Sequence, residues 1–539
     1  MAVRNVRRGR PAEHDALVTS AGEHQVIDEY GLVGIKLAFL LGVEPSAGLL
    51  LVGPRAAAWQ RDGEQAFAPC DAIAGVRRLR ASAPYGLVVW DPSAERDGSL
   101  AGLAAELARA MSDRGRLLLL GVNRWSLSAV LQPRQGASSG VSWSLRGYRR
   151  ALAHAGFRGV RTFLAMPYLA AWEEAVASRG ERPELASYTH WVLRAASRVG
   201  LLPWLHDGLV VVAGRDGCPL AELERRLAAV VDPAAPPGRY AITRFGLRSR
   251  GALIVTLRDT VARTGVIVRV AVTPNLDRRI ARNAQRLGAL LAEPRLPAEV
   301  RSRLPAQLAT ARLGGQRIYV EQRIEGYLAW QLAARPAVRA RIEADALSFV
   351  NALARGTLEV VEADDALLDE LLDHPVGDAL GAETPEAARA AGLDVVRRLR
   401  KRLAGRLVPL VAGHGDFGIG NLIVGPAGDL RGVIDWDCSQ RRELWGVDWL
   451  NHRLQLVRAD AAMTLAQAAR AVAPRLAEEV AGLWLEGSQP AERAELSVSA
   501  FHLACLRYVA RAARYPSEFV AETDDFVAVL TWLRDQSAS

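Results

Sequence analysis

Short apolar runs alternate with helical patterns in the first 231 residues of the chain. The clearest apolar runs are Gly48–Gly53, Leu87–Trp90, Arg116–Val122 and Leu209–Ala213. Buried runs separated by amphipathic helices are typical of a parallel sheet that is covered by helices on both faces. The pattern therefore predicts a doubly wound α/β domain over residues 1–231.

The pattern changes after a proline-rich segment at residues 232–238, which we interpret as a linker because proline fixes φ and removes a backbone donor. Several strand-like segments and one helix follow, and the remainder is dominated by amphipathic helical patterns. This predicts an α+β domain with a sheet lobe at residues 239–326 and a helical lobe at 327–539. The strands are Tyr240–Phe245, Ala252–Leu257, Val266–Val272 and Arg317–Ile324, the first helix is Asp277–Leu291, and the mainly helical stretches are 327–402 and 448–539.

Composition and charge narrow the possible partners. The formal net charge is +9, but Lys36 and Lys401 are the only lysines among 68 basic residues, and the arginines are spread evenly. Such a spread indicates a compositional bias, so we expect no nucleic-acid partner. The most apolar early stretch carries Lys36 and Glu44, which disfavours a membrane span. The cysteines have no zinc or disulfide spacing, and there is no secretory signal pattern, so we expect a cytoplasmic protein.

The most informative segment runs from His414 to Asp437, with the sequence HGDFGIGNLIVGPAGDLRGVIDWD. Two short apolar strands flank a turn of Gly, Pro and Asp, which predicts a β-hairpin. The hairpin brings Asn421 and Asp435 together at its open end, and Asp416 lies on a glycine-rich loop just before it. One carboxylate that accepts a hydroxyl proton, with an amide oxygen and a second carboxylate for Mg²⁺, is what phosphoryl transfer requires.

HGDFGIGN together with VIDWD resembles the aminoglycoside phosphotransferase and choline kinase group of protein-kinase-like proteins. The resemblance implies ATP and Mg²⁺ as cofactors, Asp416 as the catalytic base, and Asn421 and Asp435 as metal ligands. Asp448 matches an aspartate that we expect to cap a helix. Asp437 either assists the metal or is simply solvated, and both alternatives stay open.

The nucleotide-binding lobe departs from the family pattern because no lysine is available there. Arg269 is the single charged residue of an apolar strand, and arginine also occurs at this position in the family. We predict that it grips the nucleotide phosphates, the alternative being an ion pair on an edge strand. Glu321 lies in a stretch that resembles the hinge strand, which should meet the adenine. Asn283 or Gln285 lies where the family has a helical glutamate.

Two further segments of the second half have predicted roles. Residues 247–251 would form the turn that covers the phosphates. The basic run 397–402 would attract an acidic substrate or form a solvated helix face.

The first half of the chain has a resemblance of its own. Residues 85–92, 115–125 and 155–157 resemble the second half of a class I S-adenosylmethionine (SAM) methyltransferase. The glycine loop and the ribose-binding carboxylate are poorly matched, which favours a degenerate domain that does not bind SAM.

The sequence as a whole predicts a cytoplasmic phosphotransferase that acts on a hydroxyl group of a small molecule or sugar. Its rivals are a bifunctional methyltransferase–kinase and a pseudokinase scaffold that binds ligands without turnover. Asp416, Asn421 and Asp435 are all present, which argues against the scaffold. The acceptor cannot be derived from the sequence, because variable helices build its pocket.

Overall fold

The structure, a computed structural model, describes residues 33–53, 56, 60, 63–64, 66–79, 84–92, 95, 99–122, 144–166, 174–177, 208–246, 252–373, 380, 384–461, 463–483, 490–513 and 516–536. The predicted phosphate-covering turn at 247–251 and residues 123–125 of the methyltransferase-like pattern lie outside the described residues. No helix in the described part is both long and apolar enough to cross a membrane.

The first half of the chain contributes seven strands to a sheet. The first four strands pair in parallel in the spatial order β2-β1-β3-β4, and β7 then runs antiparallel to both β4 and β5. The apolar runs predicted from the sequence coincide with β1, β3, β4 and β7. The strands are β1 (Leu49–Val52), β2 (Cys70–Ile73), β3 (Tyr85–Trp90), β4 (Met111–Val122), β5 (Arg158–Met166), β6 (Glu174–Ala177) and β7 (Gly208–Gly214).

Helices cover both faces of this sheet, namely α1 (Val33–Leu41), α2 (Leu100–Ala110), α3 (Leu145–His154) and α4 (Pro219–Val231). Successive residues of β3 point to opposite faces, so Val88 packs in the same apolar cluster as α2 and α3. Leu87 packs instead in the cluster that contains residues of α1 and α4. Two buried faces explain why the strand is apolar at every position. The predicted doubly wound α/β fold is therefore confirmed.

The α2 and α3 helices begin where a serine supplies the missing hydrogen-bond acceptor for the first turn. Ser99 Oγ accepts from Gly102 N at 3.0 Å, and Ser144 Oγ accepts from Gly147 N at 3.1 Å. Thr273 does the same for the later helix α5 (Pro274–Leu291), accepting from Leu276 N at 3.3 Å. Side-chain acceptors of this kind satisfy backbone donors that have no partner within the helix.

The sheet lobe of the second half is antiparallel, in the order β11-β12-β10-β9-β8. Its elements, in addition to α5, are β8 (Tyr240–Gly246), β9 (Leu253–Asp259), β10 (Gly265–Ala271), α6 (Ala298–Arg301), β11 (Gln307–Leu313) and β12 (Gln316–Gln322). The strands β8, β9, β10 and β12 confirm the sequence prediction, whereas β11 was not predicted. Its residues are mostly polar or small and alternate between half-buried and exposed, so the strand lacks the apolar signal of its neighbours.

The two halves share one continuous sheet of twelve strands. The joint is the antiparallel pairing of β6 with β8, in which Glu174 lies opposite Gly246 and Val176 lies opposite Arg244. One apolar cluster also extends over both halves, from Leu118 on β4 to Val268 on β10. The linker predicted at residues 232–238 follows α4 directly. Arg239 ties it to the sheet through Asp232 Oδ2 at 2.9 Å and Asp259 Oδ2 at 2.8 Å. The proposed domain limits remain predictions.

The last part of the chain is mainly helical, with its own large apolar core. Together with the antiparallel sheet lobe it confirms the predicted α+β class. The helices are α7 (Ala329–Leu332), α8 (Pro336–Thr357), α9 (Asp365–Leu368), α10 (Glu386–Leu403), α11 (Val447–Ala461), α12 (Leu465–Val472), α13 (Leu476–Glu479), α14 (Pro490–Ala513) and α15 (Pro516–Gln536).

Two small sheets accompany these helices, β13-β16-β17 and β14-β15-β18. Strands β13 and β14 fall in the stretch 327–402 that was predicted to be helical, so that prediction was wrong at these two places. Both are short, and they pair with strands that lie far away in the chain. The strands are β13 (Tyr327–Leu328), β14 (Glu359–Glu362), β15 (Leu407–Gly413), β16 (Leu422–Val424), β17 (Leu430–Val433) and β18 (Gln440–Leu444).

Candidate active site

The loop after β15 is held in place by buried hydrogen bonds to its backbone. Asp448, near the start of α11, accepts from His414 N at 2.5 Å and from Gly415 N at 2.9 Å. Gly415 has a φ of 77°, and a Cβ there would lie 2.2 Å from the carbonyl oxygen of Cys438. Asp448 was expected to cap a helix, but its carboxylate supports the loop instead. Burial raises the pKa of Asp448 to about 7.

His414 fixes the loop from the other side. Its Nε2–H donates to Ile434 O at 2.8 Å, while Nδ1 accepts from Asp416 N at 3.2 Å. Burial lowers the pKa of His414 to about 4, so the ring is neutral at physiological pH. A neutral ring with one donor and one acceptor nitrogen matches both contacts. His414 therefore sets the position of the Asp416 backbone without carrying charge.

The Asp416 carboxylate lies between two side chains of the helical lobe. Its Oδ1 forms an ion pair with Arg511 Nη1 on α14 and accepts from Gln455 Nε2 on α11 at 3.3 Å. Neither Arg511 nor Gln455 was predicted from the sequence as a site residue. Both lie on helices outside the motif, and no local pattern connects them with Asp416.

The predicted hairpin is present, with a register that differs slightly from expectation. Leu422 lies opposite Val433, and Ile434 N donates to Asn421 O at 2.9 Å. Asn421 therefore pairs with Ile434 rather than with Asp435, which follows one residue later. The Asn421 side chain donates from Nδ2 to Asp416 O at 2.9 Å. Its amide oxygen is thereby left as an acceptor at the end of the hairpin.

Asp435 has a φ of 65°, which few residues other than glycine adopt. Its Oδ1 lies 3.6 Å from Arg269 Nη1, and 43% of its side chain remains exposed. Partial desolvation in the cleft and the neighbouring Asp437 carboxylate raise the pKa of Asp435. The structure thus brings Asp435 and Arg269 together, and their roles as metal ligand and phosphate-binding cation stay predictions.

Arg269 also binds Glu321, through Nε and Oε1 at 2.7 Å. Burial alone would lower the pKa of Arg269, but the charges of Glu321 and Asp435 outweigh it and raise that pKa. The Arg269 side chain is largely buried at the centre of the sheet lobe, so the alternative of a surface pair on an edge strand is excluded. Asn283 is also buried, with no hydrogen-bond partner described for its Oδ1, and Gln285 is exposed.

Asp437 is not solvated. Its Oδ2 lies 2.5 Å from Arg279 Nη2 of α5, and only 17% of its side chain is exposed. Burial alone would raise the pKa of Asp437, but the ion pair with Arg279 lowers it. The contact joins the helix of the sheet lobe to the segment after the hairpin.

The residues present fit a magnesium ion that also binds a nucleotide. Asn421 offers an amide oxygen that no described donor uses, and Asp435 offers a partly exposed carboxylate. Mg²⁺ commonly uses one or two carboxylates together with substrate phosphates. The described residues contain no group of three or more His, Cys, Asp or Glu that could hold a metal by itself. An ion at this place would therefore need the phosphates of its nucleotide as further ligands.

A cavity of about 500 Å³ opens beside Asp416 in the helical lobe. Its lining includes Asn421, Gln455, Arg458, Tyr508 and Arg511. The cavity thus adjoins two of the predicted site residues, Asp416 and Asn421, and is otherwise formed largely by helices.

Both halves of the chain have similar solved structures, at low sequence identity. No curated protein matches it in sequence. An aminoglycoside phosphotransferase of Streptomyces rimosus, solved with ADP and streptomycin, is 16% identical over 52% of this chain and 98% of its own, with a TM-score of 0.32. An ethanolamine kinase of Plasmodium vivax is 12% identical over 60% of this chain and 88% of its own, with a TM-score of 0.36.

The first half of the chain also has similar solved structures. A SAM-dependent methyltransferase of Thermotoga maritima, described as a possible histamine N-methyltransferase, is 9% identical over 35% of this chain and 91% of its own, with a TM-score of 0.22. In the second half, residues 253–442 match the model of the phosphotransferase enzyme family. This stretch runs from β9 to β18 and includes Arg269, Glu321, Asp416, Asn421 and Asp435. Over residues 253–442, the chain is therefore similar to the phosphotransferase enzyme family.

Proposed function

We propose that the second half of the chain is an ATP-dependent phosphotransferase that acts on a hydroxyl group of a small molecule or sugar. The observation that carries the proposal is the convergence of one loop and one hairpin on the cleft between the lobes. Asn421 donates to the Asp416 backbone at 2.9 Å and accepts from Ile434, the neighbour of Asp435, and Arg269 reaches Asp435 from the sheet lobe at 3.6 Å.

Each residue has a role in this proposal. As the acceptor oxygen attacks the γ-phosphorus, its proton passes to the Asp416 carboxylate. The bond from the γ-phosphorus to the β–γ bridging oxygen breaks, and ADP leaves. Arg511 and Gln455 both bind Oδ1 of Asp416, so we assign the proton to Oδ2. Bound Mg²⁺, held by Asn421 and Asp435, would supply neutralisation of phosphate charge.

Arg269 is proposed to bind the nucleotide phosphates in place of the lysine that the family uses. Its partner would then be Glu321 on β12 rather than a residue of α5, because Glu321 makes the 2.7 Å contact. This role replaces our earlier assignment of Glu321 to the adenine. The ion pair holds the Arg269 guanidinium in place before the nucleotide binds. Less side-chain conformational entropy is therefore lost on binding.

We propose no SAM turnover for the first half. The only acidic residue of β2, Asp71, accepts from Tyr85 Oη at 2.5 Å. At the end of β1, a Cβ on Gly53 would lie 2.2 Å from the carbonyl oxygen of Asp91. Asp71 is thus engaged with Tyr85, and the end of β1 is closely packed at Gly53, where a cofactor loop would need space. A cytoplasmic location and the domain limits given above remain part of the proposal.

Asp416→Asn tests the catalytic assignment. We expect nucleotide affinity and melting temperature to stay near wild type while phosphoryl transfer falls by about 10²–10⁴-fold, the usual contribution of a general base. Turnover is followed as ADP release with a panel of hydroxylic acceptors. Asp429→Asn, on the exposed turn of the same hairpin, is the matched control and should transfer normally. Wild-type turnover in Asp416→Asn would refute the assignment, and parallel loss of stability and ATP binding would make Asp416 a structural residue.

A further inference from the structure

The cavity beside Asp416 has an unusual charge balance for a site that would receive an acceptor. Arg458 and Arg511 both line it, and Asp416 is the only acidic residue among the lining residues that the structure describes. The Asp416 charge is already engaged by Arg511. The lining therefore carries one positive charge that no acidic residue of the cavity balances.

One aromatic ring holds the two guanidinium groups close together. Tyr508 contacts both of them, with Arg458 Cζ 5.1 Å and Arg511 Cζ 4.7 Å from its ring centroid. Arg458 Nη1 also donates to the Tyr508 hydroxyl. The two guanidinium groups carry like charges and repel each other. Their contacts with the aromatic ring offset only part of that repulsion. An anion between or beside them would be stabilised by both.

Arg458 still has hydrogen-bonding capacity. Its acidic partner, Glu522 on α15, contacts Nη2 at 3.1 Å and is not a lining residue of the cavity. Arg458 Nε is buried, and the structure describes no hydrogen-bond partner for it. Because Nε is closed to a ligand as well as to water, the donors left for an anion are the second N–H groups of Nη1 and Nη2, each of which has one described acceptor.

Part of the cavity lining is apolar. Trp330, the second residue of α7, lines the cavity with 45% of its surface exposed. Ile419 and Met463 line the cavity as well. These side chains suit the carbon skeleton of a small molecule, and the arginines of α11 and α14 suit a charged group on it.

From these contacts we infer that the acceptor carries an anionic group, a carboxylate or a phosphate, on the same molecule as the hydroxyl that is phosphorylated. Arg458 and Arg511 bind the anionic group about Tyr508, and the hydroxyl meets Asp416. This inference rests on the proposed phosphotransferase function and names its substrate class. It also disfavours polyamine acceptors such as aminoglycosides, because an ammonium group here would approach two guanidinium groups, while Asp416 and the neighbouring Glu522 are both already engaged in ion pairs.

A set of sugars that differ mainly in charge tests the inference. Glucosamine, glucose, glucuronate and glucose 6-phosphate are titrated calorimetrically into the full chain at low ionic strength, where charge effects are largest. ADP release is measured with each of them in the presence of Mg²⁺ and ATP. We expect glucuronate or glucose 6-phosphate to bind tightest and to be turned over fastest, and the better of the two identifies the anionic group.

Substitutions then locate the binding group. Arg458→Gln should weaken binding of the anionic sugar roughly tenfold to a hundredfold, the usual value of a charged hydrogen bond, and leave ATP affinity unchanged. Arg458→Lys keeps the charge and should restore part of the loss. Arg397→Gln, which removes an equally charged side chain that is 75% exposed on α10, is the control and should bind like wild type.

The outcomes separate the two levels of the proposal. Preferential binding of the anionic sugars without ADP release from any acceptor supports an anion-binding site at Arg458 and contradicts the phosphotransferase function, and with it the role of the bound molecule as an acceptor. ADP release that is fastest with glucosamine or glucose supports the function and overturns the inference. Failure of both anionic sugars to bind at millimolar concentration, or unchanged binding in Arg458→Gln, also overturns it.

Discussion

His452 should make the helical lobe sensitive to acid. The side chain is fully buried on α11, and its ring lies 5.6 Å from that of Phe417 and 5.4 Å from that of Trp449. Neither ring nitrogen has a hydrogen-bond partner among the described residues. Burial, assisted by the charges of Arg453 and Arg339, lowers the pKa of His452 to about 3. The folded protein therefore resists protonation at this place.

The size of the effect follows from proton linkage. In the unfolded chain a histidine titrates near pH 6.5, so below that pH the unfolded state binds a proton that the folded state does not bind. Stability is therefore lost as the pH falls. Each pH unit is worth about 1.4 kcal/mol, so the fall from pH 6.5 to pH 5 removes about 2 kcal/mol of the free energy of unfolding through His452 alone.

His452→Leu should abolish this part of the acid sensitivity. The variant should be about as stable as wild type at pH 7.5, because an apolar side chain replaces two nitrogens that lack partners. At pH 5 it should exceed wild type by about 2 kcal/mol. Other buried groups, including His414 and His502 with lowered pKa values and Asp448 with a raised one, are present in both proteins, so their contributions cancel.

Urea unfolding at pH 7.5 and pH 5, followed by tryptophan fluorescence, provides the measurement. At each pH, the free energy of unfolding of wild type is subtracted from that of the variant. The value at pH 7.5 is then subtracted from the value at pH 5. His154→Leu, at an exposed position of α3, serves as the control for the loss of a histidine and should give a difference near zero. An equal pH dependence of wild type and His452→Leu would refute the reasoning, since it would mean that His452 is protonated alike in both states.

Three further predictions concern ligands. Asp435→Ala should abolish the Mg²⁺ dependence of ATP binding, whereas Asp437→Ala should leave much of it because Arg279 occupies that carboxylate; calorimetry with Mg²⁺ and with EDTA distinguishes them. Arg269→Gln should weaken ATP binding about tenfold or more, and Glu321→Gln should weaken it to a smaller extent. Unchanged ATP affinity in both variants would show that neither residue belongs to the nucleotide site. The full chain should show no SAM affinity in calorimetry, and a micromolar dissociation constant would restore the bifunctional alternative.

The sequence was informative where a motif is local. The segment from His414 to Asp437 could be assigned to a loop and a hairpin because glycines, apolar runs and turn residues follow one another within a few positions. The same holds for the buried strands, whose apolar runs are continuous. The resemblance to a known family then supplied roles that spacing alone could not.

The remainder of the site depends on contacts between distant parts of the chain. Arg511 lies 95 positions after Asp416, on a helix whose pattern shows only that one face is apolar. Glu321 was recognised as part of the hinge strand, but its contact with Arg269 depends on the alignment of β12 with β10. The pairing of β6 with β8 was not predicted either, because strand partners in a sheet are chosen by the whole fold.

Because the two halves of the chain share one sheet, a rotation of the sheet lobe also moves the strands of the first half. Seven strand spacings separate β8 from β2 at the far edge, and at about 4.8 Å each they span roughly 34 Å. If the sheet lobe rotates toward the helical lobe when nucleotide binds, the far edge moves with it, by roughly 0.6 Å for each degree at this radius. A rotation of about 10° would therefore move a label at β2 by roughly 6 Å relative to a label in the helical lobe.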